Sequence, residues 1–257
     1  MLIESQQGST RILTLDRQDA GNALSLELVV ALEVALAKCR TDSSLRSVII
    51  TGAGEKFFCT GGDVKRYSTI ENAEGLHEIF DRAAGVLDLV ESCELPVFAA
   101  INGYAIGGGL ELALACDMRF AAAGVQMGFP QSRLGIIPGW NGIERVLAVA
   151  GRGTAMRLLL SGDRVDATEA HRLGLVDFVA QGESALDAAL RYAARLDTAA
   201  PLSLKAMKQV VAQTLQAPRD QARMLARSEF GRLWFTADHK EAEAAFAQKR
   251  APEFSGC

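Results

Sequence analysis

The sequence predicts one α/β domain followed by a helical C-terminal region, and three observations carry that prediction. Strand-like runs alternate with stretches of helical periodicity up to about residue 180. Two glycine-bearing turns each follow a strand. From about residue 183 glycine becomes rare, and Ala, Leu, Arg, Gln and Glu recur at helical spacing. We therefore expect an α/β core over 1–195 and a helical region over 196–257.

The elements follow in order. "LIESQQ" and "TRILTLD", separated by Gly8 and Ser9, have strand composition and read as an opening hairpin. Ser25 is placed to cap the next element, where apolar residues recur at helical spacing from Leu26 to Cys39. "RSVIITGAG" reads as a buried strand ending in a glycine turn. "PVFAAING" repeats that pattern over 96–103, and "DMRFAAAG" opens another strand at 117. Beyond Pro201 the pattern is helical throughout.

Composition narrows the function classes. The chain has 257 residues, of which 49% are apolar and 23% charged, enough to bury one sizeable core. A formal charge of -4 argues against a broad polyanion-binding face, so nucleic acid is not an expected partner, while a few lysines can still meet a phosphate. The five cysteines are odd in number and widely spaced, and no C-x-x-C pair occurs. Reduced thiols in a cytoplasmic protein, with no metal site, are the simplest reading. The stretch "MLIESQQGSTRILTLDR" is charged and alternating, and no apolar run reaches the ~18 residues of a membrane span, so no membrane association is expected.

Chemistry is suggested by the two glycine turns, "FFCTGGDVKRY" and "NGYAIGGGLELALACD". Glycine inside a helix costs roughly 1 kcal/mol against alanine, so the triplet Gly107, Gly108 and Gly109 needs a compensating reason. A bare backbone at a strand end lets a reacting group approach N–H donors directly. Two such donors aimed at one oxygen form an oxyanion hole, which a helix N-terminus strengthens. Neither turn matches a dinucleotide or triphosphate-binding glycine motif, and there is no G-x-S-x-G nucleophile elbow.

"FFCTGGDV", "NGYAIGGGLELALACD", "RLGIIPGWNG" and "ATEAHRLGLVD", in this order and spacing and followed by "HKEAEAAFAQKRAPEFSG", resemble the enoyl-CoA hydratase/isomerase family, also called the crotonase superfamily, over essentially the whole chain. The resemblance implies a crotonase-like spiral of β-β-α units. It also implies a helical C-terminal region that builds homotrimers, often paired into hexamers. The substrate would be an acyl-CoA, a thioester of coenzyme A, with no separate cofactor. Its carbonyl oxygen would meet the N–H groups of Gly62 and Gly108. The backbone around Cys59, Thr60 and Gly61 would face the adenine, Lys56 and Lys65 would meet phosphates, and Phe246 and Lys249 match the family's C-terminal contacts, in some members from a neighbouring subunit.

Family hydratases use two glutamates. Glu111 occupies the first position, but the second is Gln131. Glutamine does not exchange a proton at neutral pH, so one acid/base group is left for a reaction that must both activate water and protonate carbon. The reading carried forward is a hydratase-like lyase acting on a 2-enoyl-CoA with Glu111 as acid and base and Gln131 orienting the water. Isomerisation remains open, although many family isomerases keep their glutamate where Gln131 stands. So does decarboxylation of a methylmalonyl or ethylmalonyl thioester, which the non-acidic Gln131 and Trp140 in "GIIPGWNG" resemble. Acyl-CoA binding without turnover is the alternative outside enzymology. Asp63 and Asp117 are expected to bond turn backbone, His77 to lie on the surface, His171 and His239 to be structural, and Glu144 with Arg145 to form an ion-pair or packing element.

Overall fold

The computed structural model describes residues 1–63, 67 and 70–257. Lys65, expected to meet a phosphate, lies outside the described residues. The opening hairpin forms as expected: β1 (Leu2–Gln7) runs antiparallel to β2 (Thr10–Leu15), with Leu2 opposite Leu15. Ser25 Oγ accepts the Leu28 N–H and caps α1 (Leu26–Thr41).

A unit of long strand, short strand and helix then recurs. It appears as β3 (Ser47–Gly52), β4 (Phe57–Cys59) and α2 (Ala73–Glu91), and again as β5 (Val97–Ile101), β6 (Tyr104–Ile106) and α3 (Gly108–Ala115). The third copy is β7 (Met118–Ala122), β8 (Gln126–Gly128) and, after a 3-10 turn over Pro130–Leu134, α4 (Gly142–Ser161). The chain continues through β9 (Arg164–Asp166), α5 (Ala167–Arg172), β10 (Phe178–Ala180) and α6 (Ala185–Ala193). A 3-10 turn over Ala194–Thr198 crosses the expected 195/196 boundary and leads to α7 (Pro201–Gln216), α8 (Arg219–Trp234) and α9 (Ala237–Gln248).

The long strands form a six-stranded sheet in the order β1-β2-β3-β5-β7-β10, parallel from β2 onward. The short strands form a second sheet, β4-β6-β8-β9. The first three of these short strands are the second β of each β-β-α unit that the family resemblance implies, whereas the composition of the glycine turns alone showed no strand between them and the long strands before them. β4, β6 and β8 have three residues each, too few for a period of two to be visible, and they exist because they pair with one another.

Burial follows the pleat. Along β3, Val48 and Ile50 enter the large core with Leu28 and Leu32 of α1 and Val86 and Leu87 of α2. Ile49 points the other way, joining Phe98 and Phe120 against Ala185, Ala188 and Ala189 of α6. The loop between β3 and β4 is tied to the β5–β6 turn by Asn102, whose Oδ1 accepts the Gly52 N–H at 3.0 Å while Nδ2 donates to Gly54 O at 2.7 Å.

The two sheets meet backbone to backbone at the head of α3. A Cβ on Gly109 would overlap the Cys59 carbonyl at the end of β4. Replacing Gly109 by alanine should therefore cost about 3 kcal/mol or more, because the obstacle is backbone and cannot rotate away. Gly153, in α4 with nothing near its Cβ direction, should instead gain up to about 1 kcal/mol as alanine. Thermal melts of the two variants should move in opposite directions, and equal losses would contradict the packing described.

Candidate active site

The first glycine turn leaves β4 through Thr60, Gly61 and Gly62. Cys59 is fully buried, and burial pushes its thiol up to about 12, so its sulfur is a packing group that receives the Gly61 N–H at 3.4 Å. Both the N–H and the hydroxyl of Thr60 donate to Gly21 O. Gly61 has a φ of 97°, a conformation open to glycine, and its C=O accepts the Leu24 N–H at 2.8 Å. A Cβ on Gly61 would lie 3.0 Å from the Gly108 nitrogen, so the two glycine turns are in contact.

The second turn leaves β6 at Gly107, whose φ of 57° and ψ of -122° make it the bare cap of α3. Its N–H donates to Gly128 O, and its C=O accepts from Leu110 and Glu111. Among the described residues, the N–H groups of Gly62 and Gly108 donate to no acceptor. The Gly108 N–H also lies at the positive end of the α3 dipole. Two unspent donors on adjoining turns are the arrangement an anionic oxygen requires.

Glu111 stands one turn along α3 and is 1% exposed. Its Oε2 accepts the N–H groups of Trp140 and Gly142, each at 2.9 Å, and its Oε1 receives Gln131 Nε2 at 3.3 Å. Space for this carboxylate is made by Gly142, where a Cβ would run into the Glu111 side chain. Burial raises the Glu111 carboxyl above its ordinary range, while the Trp140 and Gly142 N–H groups and the Arg145 guanidinium pull it back down. Gln131 is 7% exposed, and its Oε1 is buried with no partner among the described residues.

Aromatic rings close over the two turns. The six-membered ring of Trp140 packs where a Cβ of Gly108 would be, and its Nε1 is buried without a partner among the described residues. The Tyr67 hydroxyl occupies the same place over Gly62, and burial, followed by the nearby Asp63 charge, pushes that phenol up to about 12. The Tyr67 and Phe80 rings have centroids 5.0 Å apart, and Phe80 in turn packs on Gly139.

The structure thus brings together Gly61, Gly62, Gly108, Glu111, Gln131 and Trp140 of the residues expected from sequence, with Cys59 and Thr60 anchoring the first turn. Lys56 is exposed, its Nζ 5.1 Å from the Phe57 ring centroid. Phe246 is exposed on α9, and Lys249 caps that helix in a left-handed conformation. Tyr67 and Phe80 were not anticipated. Tyr67 lies four residues beyond Asp63 in the glycine motif, which was the available signal, whereas Phe80 comes from a helix whose rotation the sequence does not fix.

The other side chains singled out from the sequence lie as follows. Asp117 accepts the Val97 N–H at 2.7 Å, as expected, and also Lys208 Nζ at 2.6 Å. Asp63 pairs with Arg17 at 2.8 Å. His77 is exposed, His171 Nδ1 lies 2.9 Å from Val176 O, and the His239 ring lies tilted against Trp234 with centroids 4.5 Å apart. Arg145 is an ion-pair element, but its partners are Asp88 and Glu91 and not the exposed Glu144. Among the described residues no cluster of His, Cys, Asp and Glu could hold a metal ion, and no helix is long and apolar enough to cross a membrane.

Comparison with known proteins agrees with this geometry. Residues 5–257 match the family model for enoyl-CoA hydratase/isomerase. The chain is 34% identical over 257 residues to a short-chain-enoyl-CoA hydratase of Clostridium acetobutylicum, covering 98% of this chain and 96% of that one. It is 37% identical over 244 residues to an (E)-benzylidenesuccinyl-CoA hydratase of Thauera aromatica, covering 95% and 94%. The crystal structure of an enoyl-CoA hydratase from Bacillus anthracis superposes with a TM-score of 0.96 at 32% identity, covering 100% of this chain and 99% of that one.

The burial of Glu111 is open to direct measurement. In a carboxyl 13C NMR titration, its midpoint should lie above the ~4.3 of an unperturbed glutamate. A midpoint at or below that value would mean that the Trp140 and Gly142 N–H groups outweigh desolvation.

Proposed function

The chain belongs to the enoyl-CoA hydratase/isomerase family, and from that membership we propose that it adds water across the double bond of a 2-enoyl-CoA, with Glu111 exchanging the protons. The observation that carries this reading is the placement of Glu111: a buried carboxylate one helical turn from the unspent Gly108 N–H, with one oxygen anchored and the other facing Gln131. The thioester oxygen binds to the N–H groups of Gly62 and Gly108. Water, held by Glu111 Oε1 and the free Gln131 Oε1, gives a proton to Glu111 as its oxygen bonds to the β carbon. The electrons pass to the thioester oxygen, and the enolate collapses as the α carbon takes the proton back from Glu111. The product is a 3-hydroxyacyl-CoA, and the carboxylate is regenerated without a metal or a separate cofactor.

Coenzyme A is assigned to the first turn, with the backbone at Cys59, Thr60 and Gly61 near the adenine and Lys56, Lys65, Phe246 and Lys249 along its length. Trp140, packed on Gly108, would border the reacting carbons. Exposed Met207, Val211 and Leu215 repeat along one face of α7, and Phe230 and Trp234 along α8. These faces support assembly as a homotrimer or a pair of trimers, with a sedimentation mass three or six times that of the chain. A monomer at micromolar concentration would defeat the assembly reading. Four buried free thiols fit a reducing cytoplasm.

One observation favours a second reaction. Gln131 leaves a single carboxylate in the site, and decarboxylation of a branched malonyl thioester needs the oxyanion hole and one proton donor only. Crotonyl-CoA, a 3-enoyl-CoA and ethylmalonyl-CoA, followed by enone absorbance and carbon dioxide release, separate hydration, isomerisation and decarboxylation. We expect loss of the crotonyl-CoA enone, and tight binding without turnover on this panel and a wider acyl-CoA set would defeat the enzymatic reading. Glu111→Gln should lower turnover about 10²–10⁴-fold, and Gln131→Glu should raise hydration. The acid limb of kcat/KM should lie above the ordinary carboxylate range, because the raised Glu111 carboxyl loses its basic form as pH falls through its elevated pKa.

A further inference from the structure

Arg145 joins the elements on which Glu111 depends. It sits in the first turn of α4, is 4% exposed, and directs its guanidinium back onto the preceding turn, where Nη1 donates to Trp140 O at 2.6 Å. Its outer edge is held by α2, through Nη2 to Asp88 Oδ1 at 2.5 Å and Nε to Glu91 Oε2 at 3.0 Å. The turn it grips is unusual. Asn141 has a φ of 64°, the left-handed conformation that asparagine adopts more readily than other non-glycine residues, and it turns the chain between Trp140 and Gly142. The residues on either side of Asn141 are the ones whose N–H groups reach Glu111 Oε2.

We propose that Arg145 is a positioning residue of the active site: it clamps the Trp140–Gly142 turn to α2, so that this turn's N–H groups fix Glu111 Oε2 and leave Oε1 to the reacting atoms. The inference rests on the proposed role of Glu111. Its structural logic is a buried cation with one inner hydrogen bond to the turn and two outer carboxylates, each about half exposed, that neutralise it. Among the described residues, the charged and titratable groups facing Glu111 are Arg145 from α4 and Tyr67 from the segment before α2, with neutral Gln131 opposite. Asp88 and Glu91 of α2 face Arg145. Removing the guanidinium therefore takes away the positive charge that favours the ionised carboxylate and the hydrogen bond that holds the turn.

The test compares Arg145→Met, Arg145→Lys and Glu111→Gln in steady-state hydration of crotonyl-CoA across pH, with thermal melts to verify folding. Arg145→Met should lower kcat about tenfold or more, leave KM within about twofold, and move the acid limb to higher pH. Arg145→Lys, which keeps the charge but loses the fork, should restore the acid limb while recovering only part of kcat. A folded Arg145→Met with native kcat and acid limb would overturn the proposal. Equal losses in both variants with an unmoved limb would also overturn it, since that pattern marks a purely structural role. Should Arg145→Met fail to fold, the double variant Asp88→Asn, Glu91→Gln loosens the same clamp from its half-exposed side. A fall in kcat of several-fold supports the proposal, and an unchanged kcat removes it. Glu111→Gln separates the two readings: full activity there defeats the role of Glu111 itself, whereas an inactive Glu111→Gln beside a native-like Arg145→Met defeats only the clamp.

Discussion

Everything in the site depends on backbone touching backbone where β4 meets the head of α3. Side chains normally keep two such segments apart by the width of their Cβ atoms, and here Gly61 and Gly109 remove them. The approach places the strand-to-helix junction of one unit directly beside that of the next, so two N–H groups from distant parts of the chain come close together. The surrounding hydrogen bonds serve that contact. Asn102 ties the β5–β6 turn to the β3–β4 loop, Thr60 fastens the first turn to Gly21, and the Gly107 N–H is spent on β8. The N–H groups of Thr60 and Gly107 are satisfied within the protein, whereas those of Gly62 and Gly108 donate to no acceptor among the described residues.

The same contact explains what could be read in the sequence. Long strands such as "SVIITG" announce themselves by composition, and α1 by its period and its Ser25 cap, because each signal is local. The glycines at 61, 62 and 107–109 were legible as a demand for bare backbone near a strand end. The second sheet was legible only through the family resemblance, as the second β of each unit, since its three-residue strands have no period of their own and depend on partners far away in sequence. In the site, Glu111 and Gln131 were reached through the spacing of the family motif, whereas Tyr67 and Phe80 depend on how α2 and the segment before it are rotated against the sheet. Arg145 shows the limit most clearly. Its neighbour Glu144 made an ion pair plausible, yet its actual partners lie more than fifty residues away on α2, a relation that only packing creates.

The electrostatics of Glu111 follow from the amide opposite it. A second carboxylate at position 131 would place two like charges within hydrogen-bonding distance, and such a pair titrates jointly, with one member held protonated. Gln131 donates Nε2 toward Glu111 instead, so the carboxylate titrates alone, under the opposed pulls of burial on one side and two N–H groups and a guanidinium on the other. Under the hydration proposed above, this one group takes a proton from water and then returns it, and the burial that raises its carboxyl favours the first of these transfers. The amide has a further consequence. With Nε2 committed to Glu111, its Oε1 is a buried acceptor that takes no hydrogen bond from any described residue. A water that donates one O–H to this oxygen has its other proton free for Glu111. Under the hydration proposed above, the glutamine gives up acid/base chemistry at position 131 and supplies an acceptor that would orient water toward Glu111.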